Sequence, residues 1–330
     1  MTTSAPERRY HALRSRIDRR VATLGRRWAS PDLTDACRYV LGGGGKRIRG
    51  TIVVLACEAV GGTSRRALDA AAAVEVMHNF TLVHDDIMDH AETRRGRPSV
   101  HARWNLNTAL LVGDVLLGLS YHSISRSTTD PQITVLLTRG VLEVCEGQAL
   151  DLEFEQRTDV TLRDYFRMIG KKTARLISLS AELGAMIGGG SPRAVRSLRT
   201  YGLHLGRAFQ IQDDLLDVVA DQKQFGKTIG GDIIERKKTF LLLTALQRAQ
   251  GTDRLTLRRL LRGGVQRGRT DRRIVDTVTD IYRRYGVLDT ARTRIATESV
   301  RAIAALDGLP APGATGMLRW LADALIHRMS

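Results

Sequence analysis

Two Asp-Asp-x-x-Asp triplets stand far apart in this 330-residue chain: Asp85, Asp86 and Asp89, then Asp213, Asp214 and Asp217. Each lies in a long apolar stretch with helical spacing, where carboxylates are costly unless something neutralises them. Residues four apart on a helix share a face, so Asp85 and Asp89 point one way, as do Asp213 and Asp217. Two such faces turned toward each other would line a cleft with carboxylate oxygens able to hold several Mg²⁺ ions. Mg²⁺ takes oxygen ligands, keeps waters, and is commonly completed by phosphates. The chemistry within reach of these residues is metal-assisted handling of a phosphorylated molecule.

Positioning carboxylates inside apolar stretches calls for helices, and the composition agrees. Ala, Leu and Arg dominate, aromatics are few, and sustained period-two alternation of β-branched residues is missing. Length alone would suggest about two domains. No Pro/Gly/Ser-rich linker, repeat or low-complexity tract divides the chain, however, so one all-α domain over residues 1–330 is expected. The spacing predicts a charged amphipathic helix over Arg8–Trp28, a break at Gly42–Gly45, and a helix ending at Val60. Gly61-Gly62-Thr63-Ser64 reads as a stop and a fresh N-cap. It opens a helix over Ser64–His90 that carries the first triplet near its end. A turn is expected at Gly96–Ser99, then helices over Val100–Ser125, Pro131–Phe154 and Leu162–Ile187. Gly188–Pro192 restarts the chain as the helix of the second triplet, which runs to Ala220. A Gly/Lys-rich loop (Gln222–Lys238) and three or four further helices follow.

The net charge of +16 raises nucleic acid as a partner. The Arg residues are spread, however, from Arg8, Arg9, Arg14, Arg16, Arg19 and Arg20 to the stretch Arg254–Arg273. No helix-turn-helix, zinc or ribonucleoprotein signature accompanies them, so a solvated basic surface and no nucleic-acid partner are expected. Cys37, Cys57 and Cys145 are odd in number and lack Cys-x-x-Cys spacing, which implies neither a disulfide framework nor a zinc site. The N-terminus is polar, without an apolar signal core. The most apolar run, Thr108–Tyr121, is short for a bilayer span and contains Asp114. A cytoplasmic protein with no integral membrane segment is the expectation.

Basic and polar motifs flank the two triplets. They are Gly-Gly-Lys-Arg-Ile-Arg (Gly44–Arg49), His-Asp-Asp-Ile-Met-Asp with Arg-Arg-Gly-x-Pro (His84–Pro98), and Lys172-Thr173. Phe-Gln-Ile-x-Asp-Asp-x-Leu-Asp (Phe209–Asp217), Gly226-Lys227 and Lys237-x-Thr239 continue the series. Taken singly, each has a bland reading: Lys46, Arg47 and Arg49 as a solvated helix start, or Arg94 and Arg95 as charge complementing a helix C-terminus. A glycine run before Lys46 makes a phosphate site more plausible. His84, His90 and His101 suggest a His/Asp metal site, which Mg²⁺, an oxygen-seeking ion, would not need. Asp114 reads as a helix–helix contact, and Gln148 and Asp151 as supporting residues.

Together, in this order, the motifs resemble the trans-type isoprenyl diphosphate synthases, from Gly43 to Thr239 and more weakly to the C-terminus. The resemblance implies a bundle of about ten or more helices around a central catalytic cavity, the isoprenoid synthase type. It implies a prenyltransferase in which an allylic diphosphate (dimethylallyl, geranyl or farnesyl) loses its diphosphate, and isopentenyl diphosphate attacks the carbocation head to tail. Two diphosphates bring roughly six negative charges together, so metals and cations must neutralise them. By resemblance Asp85, Asp89 and Asp213 bind three Mg²⁺, with Asp86, Asp214 and Asp217 in support. Arg94, Lys172 and Lys227 complete the grip on the allylic diphosphate. Lys46, Arg49, His78 and Arg95 hold isopentenyl diphosphate. Thr173 and Gln210 present oxygens to the cation, and Lys237 helps close the loop.

The family is dimeric, which makes Thr108–Tyr121 a candidate homodimer interface. Phe80, five residues before Asp85, with the small Thr81 after it, resembles the geranylgeranyl-producing type. Farnesyl and longer-chain synthases are the alternatives, and a class I terpene cyclase a remote one, since its second metal motif needs Ser or Thr at Asp217. Gly50 and Leu242 depart from the family, standing where many relatives have Pro.

Overall fold

Helices form nearly all of the regular structure in the computed structural model, which describes residues 4–25, 27–219, 230–262 and 272–326. They are α1 (Ala5–Ala22), α2 (Pro31–Leu41), α3 (Ile48–Ala59), α4 (Ser64–Met88), α5 (Val100–Arg103), α6 (Leu106–Ser125), α7 (Pro131–Gln156) and α8 (Leu162–Ile169). After a π-helical turn at Gly170–Ala174 come α9 (Arg175–Ile187), α10 (Pro192–Val219), α11 (Gly231–Ile234), α12 (Phe240–Arg248), α13 (Gly251–Arg262), α14 (Arg272–Arg284), α15 (Val287–Ala304) and α16 (Pro312–Ile326). The only sheet among the described residues is a two-stranded ladder, β1 (Thr93–Arg94) with β2 (Arg97–Pro98).

The chain divides into two compact units. The first comprises Met1–Gly140, Leu176–Thr200 and Ala305–Leu321; the second comprises Val141–Arg175, Tyr201–Ala304 and Ala322–Ser330. In the first, α4 is the central element and packs on α3, α6 and α1. Its run Ala70–Met77 is buried on every side, as expected of a helix enclosed by neighbours rather than half-solvated. Small residues let α6 approach α4 closely. A Cβ on Gly113 would lie 2.0 Å from His84 Nε2, so only glycine leaves room for that ring. The second unit has its own core, built from Tyr165, Ile211, Leu215, Phe240 to Leu243, Ile281 and Tyr282 among others.

Several sequence expectations need correction. The first helix stops at Ala22, and a second, α2, begins at Pro31 with Ser30 as its N-cap. The single helix expected over Val100–Ser125 is broken at Trp104, because the Asn105 side chain accepts from Thr108 N–H and caps a new start. The turn expected at Gly96–Ser99 lies at Arg95–Gly96, where both residues have positive φ (54° and 72°). That is the signature of a two-residue hairpin turn. Five helices, not three or four, follow residue 238 in the described chain.

Asp114 is exposed, and the helix contact at that place is made by Gly113 and His84 instead. The run Thr108–Tyr121, short for a span by itself, belongs to the longer α6. That helix is long and apolar enough, by length and composition, to cross a bilayer. It buries Ala109, Val112, Leu116 and Leu119 inside the unit, as a core helix does.

Candidate active site

The first triplet occupies the last turn of α4, where Asp89 is the C-cap. Asp85 is half-buried and Asp89 exposed, while Asp86 turns inward. Asp86 Oδ1 accepts from Arg94 Nε at 2.8 Å and from Arg94 Nη2. Burial pushes the Asp86 carboxyl above its usual range, against the pull of the Arg94 hydrogen bond and charge. Helical spacing explains the division, since residues 85 and 89 share a face that 86 does not.

The β1–β2 hairpin carries Arg94 and Arg95, and its tight turn sends them to different places. Arg95 Nη1 donates to Gly44 O at 2.6 Å, beside the glycine run. Around it gather Arg47, Arg49 and His78 of the same unit. Burial, then the charges of Arg49, Arg95, Arg94 and Arg47, push His78 well below the ordinary histidine value. His78 is therefore a neutral imidazole at pH 7. Burial chiefly lowers Arg49, to about 10, with Glu75 opposing and Arg95 adding to the effect; it stays a cation at pH 7. Its Nε is buried and has no hydrogen-bond partner among the described residues. Lys46 is exposed, and its backbone carbonyl accepts from Tyr10 Oη.

Beside this cluster an open cleft of about 460 Å³ is lined by Tyr39, Asn79, Asp86, Arg94, Arg95 and Arg97 with apolar neighbours. Asn79 is buried, and its Nδ2 is without a hydrogen-bond partner among the described residues. Cations, a neutral imidazole and unspent donors suit an oxyanion ligand.

In the second unit, α10 carries Asp213, Asp214 and Asp217. Asp214 is the inward member: it accepts from Tyr165 Oη at 2.7 Å, Phe240 N at 3.0 Å and Gln210 Nε2 at 3.0 Å. Burial raises its carboxyl to about 6, while the donors from Gln210, Phe240 and Tyr165 pull it back. Gln210 Oε1 in turn accepts from Thr173 Oγ1 at 2.8 Å, so Thr173, Gln210 and Asp214 form one chain. Asp217 Oδ2 accepts from the backbone N–H of Asp232 at 3.0 Å.

Lys172 and Thr173 sit on the π-helical turn, a distortion common at functional sites. A Cβ on Gly147 would fall 2.3 Å from Lys172 N, so glycine lets α7 approach that turn closely. Lys172 Nζ lies 2.5 Å from Asp151 Oδ2. Gln148 is buried near it in sequence, and neither of its amide atoms has a partner among the described residues. Lys237 pairs with Glu235 at 2.8 Å. Lys227 and Gly226 lie outside the described residues. Phe80 is nearly buried, with its ring edge-on to His84 at 5.0 Å, and Thr81 Oγ1 donates to His78 O.

Sequence reasoning missed Glu75, Asn79, Tyr165, Asp232 and Lys238. Asp232 is held well above the usual carboxylate range, first by burial and then by Asp217. Its place after Gly230-Gly231 was a usable signal. Lys238 reaches Glu155 O at 2.8 Å. No group of three or more His, Cys, Asp or Glu side chains converges among the described residues, either at the triplets or around His84, His90 and His101. Each triplet instead offers carboxylate oxygens with one member turned into the protein, a donor set that suits a hard cation completed by phosphate and water.

Comparisons with known proteins bear on this geometry. A family model described as polyprenyl synthetase matches residues 30–279. The short chain isoprenyl diphosphate synthase of Methanothermobacter thermautotrophicus is 41% identical over 300 residues, covering 90% of each chain. The solved geranylgeranyl pyrophosphate synthetase of Pyrococcus horikoshii is 35% identical and matches with a TM-score of 0.89, covering 97% of this chain and 100% of its own. A polyprenyl synthase of Caulobacter crescentus, solved with calcium and isoprenyl diphosphate, is 28% identical with a TM-score of 0.88, covering 98% of this chain and 97% of its own.

Proposed function

The chain belongs to the polyprenyl synthetase family and is a prenyltransferase; from that premise we propose that it joins isopentenyl diphosphate to an allylic diphosphate, with geranylgeranyl diphosphate (C20) as the product. The observation that carries this reading is the pairing of two intact aspartate triplets with a separate cluster of cations around His78. A terpene cyclase has no use for the second diphosphate site.

Asp85, Asp89 and Asp213 are the residues that would hold Mg²⁺, three ions in all, with Asp86, Asp214 and Asp217 supporting them. When bound, Mg²⁺ supplies the positive charge that lets the allylic diphosphate depart. Arg94, Lys172 and Lys227 add charge to that grip. Lys46, Arg49, Arg95 and neutral His78 hold the second diphosphate, and the unspent Nε of Arg49 supports this assignment. The hydroxyl of Thr173 and the carbonyl of Gln210 put oxygen dipoles beside the allylic cation, since each oxygen has a lone pair beyond the bond they share. Lys237 draws the loop closed. The proton lost at the end goes to the departing diphosphate.

The single-domain reading belongs to this proposal. Each unit is assembled from three separate stretches of chain, so neither can be excised as one segment. So does a cytoplasmic homodimer formed through α6, whose Leu106, Leu110 and Leu111 are exposed. The support for product length is Phe80, with Thr81 beside it, as the block to chain growth.

The test is to incubate the enzyme with Mg²⁺, labelled isopentenyl diphosphate and each allylic primer, and to chromatograph the products after dephosphorylation. C20 alcohol is expected, and products longer than C20 from Phe80→Ala. Hydrocarbon formed from an allylic diphosphate alone would contradict prenyl transfer. An unchanged distribution in Phe80→Ala would remove the block.

A further inference from the structure

Glu75 lies one helical turn before His78 on α4 and is buried. Its Oε1 accepts the backbone N–H of Gly50 at 2.7 Å. Its Oε2 lies 3.6 Å from Arg47 Nη1. Arg47 is enclosed as well: its Nε donates to Asp18 Oδ1 at 2.7 Å and its Nη2 to Leu41 O at 3.2 Å. This arginine is also the N-cap of α3 and adopts a left-handed φ of 49°, a conformation that costs about 1 kcal/mol or more without external support.

Gly50 is the third residue of α3, one of the positions whose N–H has no partner inside its own helix. Here that N–H is taken by Glu75. A Cβ at Gly50 would stand 3.0 Å from Glu75 Cγ and 3.1 Å from Ala71 O, so the missing side chain lets α3 and α4 meet closely enough for the bond. One carboxylate thus ties the start of α3, with Lys46 and Arg49, to the turn of α4 that carries His78.

Charge points the same way. Arg47, Arg49, Arg94 and Arg95 all bear on His78, and clustered cations with no anion among them repel. Asp86 takes Arg94, Asp18 takes one edge of Arg47, and the negative charge of Glu75 favours the charged forms of both Arg49 and Arg95.

We infer that Glu75 is a positioning residue for the isopentenyl diphosphate site: through Gly50 N–H and Arg47 it sets the start of α3 against α4, and its charge lets the surrounding guanidinium groups share one place. The inference rests on the assignment of Lys46, Arg49, His78 and Arg95 to that substrate.

Steady-state kinetics on full-length Glu75→Gln, with Mg²⁺ saturating and each substrate varied in turn, test it. Glutamine keeps the size and an acceptor for Gly50 but removes the charge. The KM for isopentenyl diphosphate should rise about tenfold, while kcat and the allylic KM stay within about threefold. Glu75→Asp, which keeps the charge, should recover part of the loss. A structural role alone would lower Tm or active fraction without separating the two substrates. Arg49→Ala is measured in parallel. If it raises the isopentenyl diphosphate KM and Glu75→Gln does not, the role of Glu75 is overturned while the site stands. If neither moves that KM, the site assignment falls as well. Should Glu75→Gln fail to fold, Gly50→Ala, whose added methyl crowds the Glu75 side chain, carries the same expectation. An unmoved isopentenyl diphosphate KM in that variant overturns the role equally.

Discussion

In the first triplet the inward carboxylate, Asp86, is buried against a cation, Arg94, whose side chain is itself 36% exposed. In the second, Asp214 is buried against three neutral donors: a tyrosine hydroxyl, a side-chain amide and a backbone N–H. The same five-residue motif is therefore held by two physical means. The Arg94 pair ties the end of α4 to a hairpin that also carries Arg95, so the support of the first triplet is part of the charged apparatus beside it. The Asp214 network ties α8, α10 and α12 into the core of the second unit without a cation. A buried carboxylate needs compensation in either case. What differs is whether the compensating group is also free to serve a ligand.

The outer carboxylates test the shared part of the comparison and carry the largest expected effect. Asp85→Ala or Asp89→Ala should lower kcat by about three orders of magnitude or more, with Tm nearly unchanged, because half-open and exposed side chains contribute little to folding. Near-wild-type turnover in Mg²⁺ from either variant would separate the first triplet from the metal.

A smaller effect distinguishes the two supports. Arg94→Ala leaves Asp86 buried without its cation and should cost about 2 kcal/mol, less than a fully enclosed pair because Arg94 is partly solvated. Tyr165→Phe removes one of three donors to Asp214 and should cost about 1 kcal/mol. Urea denaturation of both variants checks the ranking, and a larger loss from Tyr165→Phe would reverse it.

A third effect is in pH. Burial holds Asp214 up at about 6, above the ordinary value of about 3.9 in an unfolded chain. Between those values the folded state keeps the proton and the unfolded state does not. The contribution of Asp214 is therefore full below the unfolded value and is lost as pH rises through about 6. In metal-free protein, Asp214→Asn should flatten the decline of Tm between about pH 4 and about pH 6. A slope equal to that of wild type would assign the titration elsewhere.

The two triplets, their flanking motifs and the helix Ser64–Met88 were legible because each has a local signature: fixed spacing, a glycine stop, an apolar period. What stayed hidden depends on partners distant in sequence. Glu75 reads as one acidic residue in an alanine-rich helix until Gly50 and Arg47 are brought to it. Asn79 reads as a helix residue until its amide is found buried in a cleft. The break at Trp104 escaped notice because no Gly or Pro marks it; the Asn105 cap alone makes the new start.

Gly50 and Leu242 are instructive in a different way, since each stands where the family resemblance implies a proline. Both are third residues of their helices, where an N–H has no intrahelical partner and proline is tolerated. Here each N–H is used, by Glu75 Oε1 at Gly50 and by Thr239 Oγ1 at Leu242.

The most direct test of the division between outward and inward carboxylates is kcat and Tm measured side by side on Asp213→Ala and Asp214→Ala in Mg²⁺. The geometry predicts that Asp213→Ala loses about three orders of magnitude in kcat at nearly unchanged Tm. Asp214→Ala, which strands Tyr165 Oη, Gln210 Nε2 and Phe240 N–H, should lower Tm by several degrees, as a loss of about 2 kcal/mol or more implies. Full activity in Asp213→Ala, or an unshifted Tm in Asp214→Ala, would contradict that division.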